Sequence, residues 1–239
     1  MTIYQYWETR GTKPAYIDGL REIAARNARV PLILVTPENL DTFLPDMPDA
    51  IRAIPELAHK ADMIRAMLIH RHGGMWLDSD AIVLKPLDPL FRHLEDHDFV
   101  AFRSSERWRR WRARVRVNCF LSRPGGRVVG EWMRRQHALL PRTRFDWNEI
   151  GSDILHAVCR ENRDIVKFLP FEAICPVSWD HVDAFAQAGD ASKIVENCLM
   201  VMMSNKSLND RGSALTAMTV EEIARRDWLI SDLLRHALR

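Results

Sequence analysis

Residues 57–84 constrain the fold more than any other part of the chain. Leu57, Ala61, Ile64, Met67 and Leu68 recur at helical spacing, which predicts a helix with one apolar stripe. Gly73 and Gly74 follow, the residue type that takes up the left-handed backbone closing such helices. Met75-Trp76-Leu77 and residues 81–84 then read as short apolar strands, and between them stand Asp78, Ser79 and Asp80. A helix, a glycine stop and a strand with acids at its carboxyl end are parts of an open α/β sheet, which binds ligands where its strands end.

The rest of the chain agrees with that reading. Residues 3–7 alternate apolar and polar before Gly11 and Pro14 interrupt them, as a short first strand does. Ile17, Leu20, Ile23 and Ala24 place a helix over residues 16–28, and the apolar run 30–35, broken by Pro31, suits a buried parallel strand. Thr36-Pro37-Glu38 looks like a cap and first helical proline, opening a helix that runs to Leu44 and ends at Pro45 and Pro48. Further strands are expected at 99–102, 117–121, 165–169 and 199–203, and helices at 127–139 and 152–159. Thr219-x-x-Glu222 is a capping box for a last helix. Without repeat, linker or low-complexity tract, residues 1–239 read as a single α/β domain.

Composition narrows the function classes. Hydrophobic residues at 47% and charged residues at 28% exclude a disordered chain. No stretch approaches the ~20 apolar residues that cross a bilayer, and the N-terminus lacks a basic region followed by an apolar core. Cys119, Cys159, Cys175 and Cys198 form no CxxC pair, which argues against a zinc site or disulfide framework and predicts a reducing, cytoplasmic setting. A net charge of +2 does not by itself indicate a nucleic-acid binder. Residues 103–116 nevertheless hold seven arginines (103, 107, 109, 110, 112, 114 and 116), Trp108, Trp111 and a single acid, Glu106. That is a local basic patch.

In an extended strand residues two apart point to one side, so Asp78 and Asp80 would present their carboxylates together while Ser79 faces away. Mg²⁺ and Mn²⁺ prefer carboxylate and phosphate oxygens and bind with few protein ligands plus the substrate's own phosphates, so such a pair suits a nucleoside diphosphate. The competing reading is a turn between two short strands, where aspartate is common. Asp62 and Arg65, three apart, share a helix face. Either they pair with each other, or Asp62 bonds sugar hydroxyls while Arg65, a planar multiple donor, contacts the sugar or diphosphate.

Ala61-Asp62-Met63-Ile64-Arg65, seven intervening residues, and Gly73-Gly74-Met75-Trp76-Leu77-Asp78-Ser79-Asp80 together resemble the DxD-containing, sugar-binding-region glycosyltransferases. These include bacterial capsular-polysaccharide synthesis proteins, yeast mannosyltransferases and the glucosylating domain of large clostridial toxins. The resemblance covers residues 58–88 well and residues 4–7 and 118–121 more loosely. It implies a GT-A fold, a Rossmann-like mixed sheet flanked by helices, with a nucleotide-sugar donor (a UDP-sugar ahead of a GDP-sugar), Mn²⁺ or Mg²⁺, and retention of anomeric configuration. On matched positions it makes Asp78 a ribose and sugar contact beside the metal, Asp80 a metal ligand, and Asp62 and Arg65 donor-sugar contacts. It makes Trp7 a platform for the base, with Tyr6 beside it in the donor site. A tryptophan ending a first strand is otherwise a core or rim residue.

The C-terminal part departs from the family pattern. Many relatives place a histidine or carboxylate after the last core strand, whereas residues 200–206 offer Ser204 and Asn205. Asn205 would give the metal a carbonyl oxygen and Lys206 would neutralise diphosphate; the alternative is a solvated Asn-Lys turn. Asp153 is a candidate donor or acceptor contact or else a helix N-cap, and Glu149 is a further candidate. The basic patch is either a solvated surface or a contact for an anionic partner: a lipid-linked phosphate, a membrane surface to which the protein is peripheral, or nucleic acid. The expected function is hexosyl transfer to a glycan hydroxyl in surface-polysaccharide synthesis. One alternative is transfer to a hydroxylated base of modified DNA. Another is a non-catalytic nucleotide-sugar binder, against which the intact set of Asp62, Arg65, Asp78 and Asp80 argues.

Overall fold

The computed structural model describes residues 1–9, 11–103 and 114–239. They form two compact units, one made of Met1–Glu8, Leu32–Leu77 and Pro89–Pro170, the other of Thr9–Pro31, Asp78–Asp88 and Phe171–Arg239.

The first unit is organised by a sheet. Strand β1 (Ile3–Tyr6), buried throughout, pairs in parallel with β2 (Leu32–Val35) on one side and β3 (Gly74–Leu77) on the other. With β4 reserved for residues 81–83 of the second unit, the sheet continues through β5 (Phe99–Arg103), β6 (Val115–Ser122) and β7 (Val166–Pro170). The order is β2-β1-β3-β6-β5-β7, with β6 antiparallel to both neighbours and β5 parallel to β7. Pro31, which has no N–H to give a ladder, stays just outside β2.

Helix α5 (Arg127–His137) packs on both α4 (Leu57–His72) and α6 (Ile154–Glu161), and α4 and α6 also meet strands of the sheet. Phe120 stacks on Phe99 at 5.3 Å and meets Trp132 of α5 edge-on at 5.5 Å, joining strand and helix layers. Gly73 closes α4 with φ +65°, as its position after the apolar stripe predicts. Gly74 has φ +99°, and a Cβ there would stand 2.4 Å from the Thr2 carbonyl, so β1 and β3 can approach only at a glycine. Helix α4 is buried beyond its expected single stripe: His59, Lys60, Asp62 and Arg65 are buried along with its apolar residues.

The expected helix over 36–44 is corrected. Thr36-Pro37-Glu38 forms a turn, and α2 (Leu40–Phe43) begins after Asn39. The Asn39 side chain accepts from the Thr36 N–H at 2.8 Å and donates to the Leu34 carbonyl at 3.0 Å, a local bonding scheme that competes with helix. A short helix α3 (Asp49–Arg52) follows that the sequence did not signal.

In the second unit β4 (Ala81–Val83) pairs antiparallel with β8 (Met200–Met202), and α1 (Tyr16–Asn27) and α10 (Leu229–Ala237) pack on β4. Helices α7 (Ser192–Asn197) and α8 (Asn205–Asp210) flank β8 in sequence. The capping box forms: Glu222 N–H donates to Thr219 Oγ1 at 3.2 Å and Thr219 N–H to Glu222 Oε2 at 2.8 Å. It opens α9 (Val220–Ala224), the penultimate helix rather than the last.

Candidate active site

Between β3 and β4 the chain passes through Asp78 and a turn at Ser79 and Asp80, so the extended strand geometry expected for this segment gives way to the turn. Exposure nevertheless alternates: Asp78 and Asp80 are half-buried, whereas Ser79 is 5% exposed. Both aspartates keep part of their surface exposed while the hydroxyl between them is buried.

Asp80 is fixed by groups far away in sequence. Its Oδ2 accepts the Asn205 N–H at 2.6 Å, and its carbonyl accepts the Met203 N–H at 3.1 Å. Ser204, in the left-handed conformation at φ 55°, turns the chain from β8 into α8 and so directs that N–H. The Asn205 side-chain oxygen accepts from the Tyr16 hydroxyl at 2.6 Å. Burial first, and the nearby Asp80 carboxylate second, push the Tyr16 phenol well above its ordinary range, so it stays a neutral donor. Lys206 pairs with Asp210 on α8 at 2.7 Å.

Two carboxylates do not make a self-sufficient cation site, and among the described residues no group of three or more His, Cys, Asp and Glu is placed to hold a metal ion. The donor chemistry of Asp78 and Asp80 does fit Mg²⁺ or Mn²⁺, which complete their shells with water and substrate phosphate oxygens.

In the first unit Asp62 and Arg65 pair at 3.4 Å with both side chains buried. The Arg65 guanidinium also donates to the Val117 carbonyl at 2.7 Å and the Ala61 carbonyl at 3.2 Å, and lies 4.9 Å from the Trp76 ring centroid. Such a pair is expensive to desolvate and persists because its remaining donors are satisfied. Gly151 abuts the other side: a Cβ there would be 2.4 Å from Asp62 Oδ2. Gln136 pins both walls, donating to the Asp62 carbonyl and to the Ile150 carbonyl at 2.9 Å each. Trp132 Nε1 donates to the same Ile150 carbonyl at 2.9 Å.

Tyr6 is buried, and its hydroxyl donates to Glu8 at 2.8 Å; Glu8 in turn pairs with the buried Lys60 at 3.0 Å. Trp7 is half-buried and its N–H extends the β1–β2 ladder to the Val35 carbonyl at 3.0 Å. Nothing in the sequence pattern pointed to Glu8, Lys60, Gln136, Gly151 or Tyr16.

Asp153 ends a π-helical turn (Glu149–Asp153) and already has helical φ, so its carboxylate does not cap α6 and pairs with Arg114 instead. Capping needs an extended backbone at that position. Glu149 accepts from Arg142 at 2.8 and 3.1 Å and from the Asp146 N–H at 3.0 Å, and Arg142 holds its carboxyl below the usual glutamate range. From the basic patch, Arg103 lies 4.5 Å from the Phe168 ring centroid and Arg116 stands in β6. Arg107, Arg109, Arg110, Arg112, Trp108 and Trp111 lie outside the described residues.

The family model for capsular polysaccharide synthesis proteins matches residues 2–138, more than half of the chain. The chain belongs to the capsular polysaccharide synthesis protein family. No curated protein matches it. Two solved structures share its fold at a TM-score of 0.50. One is the PaToxG glycosyltransferase, 10% identical over 99% of this chain and 84% of that one. The other is a glycosyltransferase involved in glycosylation of the major capsid of PBCV-1, 14% identical over 88% of this chain and 98% of that one. The mixed sheet with flanking helices is thus the GT-A fold expected from the sequence, shared with these two glycosyltransferases. Among the described residues no helix is long and apolar enough to cross a membrane.

Proposed function

We propose that this protein transfers a hexose from a nucleotide-diphosphate sugar, a UDP-sugar ahead of a GDP-sugar, to a hydroxyl of a surface glycan with retention of anomeric configuration. The observation that carries the reading is the acidic turn, with Asp78 and Asp80 half-buried on either side of a buried Ser79 and Asp80 fixed by the Asn205 N–H. Asp78 and Asp80 would hold Mn²⁺ or Mg²⁺ together with the donor diphosphate. When bound, the cation offsets the charge that develops on the leaving diphosphate.

Asp62 is assigned to the hydroxyls of the donor hexose. Arg65, buried and engaged with Asp62, Ala61 and Val117, is a positioning residue that acts through Asp62. Trp7 is assigned to the base, with Tyr6 as its support. Asn205 orients Asp80 through its backbone, Lys206 offsets diphosphate charge, and Asp153 with Arg114 borders the acceptor. All four cysteines are free thiols, which suits a cytoplasmic reaction.

The test is metal-dependent hydrolysis of UDP- and GDP-hexoses. Asp80→Asn should abolish it with an unchanged melting temperature, and EDTA should silence the unaltered protein. Full activity in EDTA would defeat the proposal.

A further inference from the structure

Arg103 ends β5, and its partner in register is Pro170, the end of the parallel strand β7. Open α/β sheets bind ligands beyond such carboxyl ends. The Arg103 guanidinium lies 4.5 Å from the ring centroid of Phe168, which packs against the core cluster that holds Leu155, Val158 and Cys159 of α6. Arg103 therefore projects on the face of the sheet that α6 covers. Asp153, His156 and Arg160 follow one another at spacings of three and four, along one side of α6 and the turn before it. Arg114, just before β6, pairs with Asp153.

Three guanidiniums thus gather about His156, from β5, the start of β6 and α6, against one acid. Asp153 answers Arg114, and among the described residues neither Arg103 nor Arg160 stands within ion-pair distance of a carboxylate. His156 is half-buried, and its Nδ1 is buried without a hydrogen-bond partner among the described residues. Burial first, then Arg160, Arg103 and Arg114, hold this imidazole below its ordinary range, with Asp153 opposing them. Like charges gathered without matching acids repel one another, and a bound anion relieves the repulsion.

We propose that Arg103, Arg114, Arg160 and His156 form a binding site for a phosphate ester, a monoester or a diphosphate. Guanidinium forks match phosphate oxygens two at a time, and the imidazole adds a further donor. A neutral sugar would leave the three cations uncompensated, and a single carboxylate would answer only one of them. Because the Asp153–Arg114 pair borders the acceptor in the reaction proposed above, the phosphate is assigned to an acceptor glycan that carries one. That assignment rests on the transferase reading, whereas the anion site does not.

The ring resonances of His156, assigned by their loss in His156→Gln, read the site without turnover. In one arm geranyl diphosphate, as the ester, and inorganic pyrophosphate, as the free anion, are titrated without metal against sodium chloride at matched ionic strength. In the other arm UDP-hexoses are titrated with Mn²⁺. A saturable shift with geranyl diphosphate, the imidazole then titrating at higher pH than in the free protein, supports the proposal. Arg103→Gln combined with Arg160→Gln should weaken that binding about tenfold or more, the scale of a charge-assisted hydrogen bond, in a protein that still melts cooperatively. A shift with pyrophosphate alone, or with UDP-hexose alone, overturns the acceptor assignment. No saturable shift in either arm of the folded protein, or equal binding by the doubly substituted protein, overturns the site itself. Shifts in the first arm from a protein with no donor turnover would keep the anion site and refute the transferase reading, whereas donor turnover with no shift would refute the site alone.

Discussion

Gly151→Ala tests how closely the wall around Asp62 is built. The added Cβ would lie 2.4 Å from Asp62 Oδ2, 3.0 Å from its Cγ and 3.3 Å from Oδ1, whereas ordinary contact begins at 3.4 Å. Something must move by about 1 Å. The backbone of residue 151 is poorly placed to yield, because the neighbouring Ile150 carbonyl is held by both Trp132 and Gln136. The Asp62 carboxylate is therefore the group displaced, away from its 3.4 Å contact with Arg65. Overpacking of this kind costs about 1–3 kcal/mol. For a chain of this length that corresponds to a fall in melting temperature of about 2–12 °C. A positioning error of about 1 Å in a substrate contact can cost about a hundredfold in rate. Donor turnover measured well below the melting transition should thus fall far more than the lost stability explains. A variant that melts within 1 °C of the parent and turns over donor normally would refute the argument.

Other outcomes follow from the same contacts. Tyr16→Phe removes the hydroxyl that anchors Asn205 and should cost about 1 kcal/mol in a denaturant titration while raising the Mn²⁺ concentration needed for half-maximal donor turnover. Glu131, hydrogen-bonded to Arg134 first and Arg135 second, has its carboxyl lowered to about 2. A carboxylate so lowered stabilises the fold above its ordinary pKa of about 4.3 and loses that contribution as pH falls through the folded value. The difference in stability between the parent and Glu131→Gln, about 0.2–1 kcal/mol for a surface pair, should be present at pH 6 and vanish on acidification to pH 2, as read by denaturant melts at each pH.

The sheet was legible because its strands are apolar runs of β-forming residues bounded by glycine and proline, and residues 3–7, 30–35 and 99–102 place β1, β2 and β5 within two residues of their bounds. The Gly73-Gly74 stop was legible for a steric reason that the structure repeats. What escaped were contacts without local pattern. Tyr16 meets Asn205 across 189 residues, and Gln136 meets the Asp62 carbonyl across 74. Asp153 looked like a cap because its neighbours are helical, but the π-helical turn before it already fixes its backbone, which no spacing rule reveals. Asp78 and Asp80 were found through the alternation of a strand, yet a turn holds them, with Ser79 buried between two half-buried aspartates.

Electron paramagnetic resonance of Mn²⁺ tests most directly whether those carboxylates hold a cation against a diphosphate. With the unaltered protein, the free Mn²⁺ signal should fall when UDP or a UDP-hexose is added, beyond the fall that nucleotide alone produces, and Asp78→Asn with Asp80→Asn should abolish the excess. Equal Mn²⁺ binding by the doubly substituted protein, or no excess at all with any nucleotide, would contradict the account.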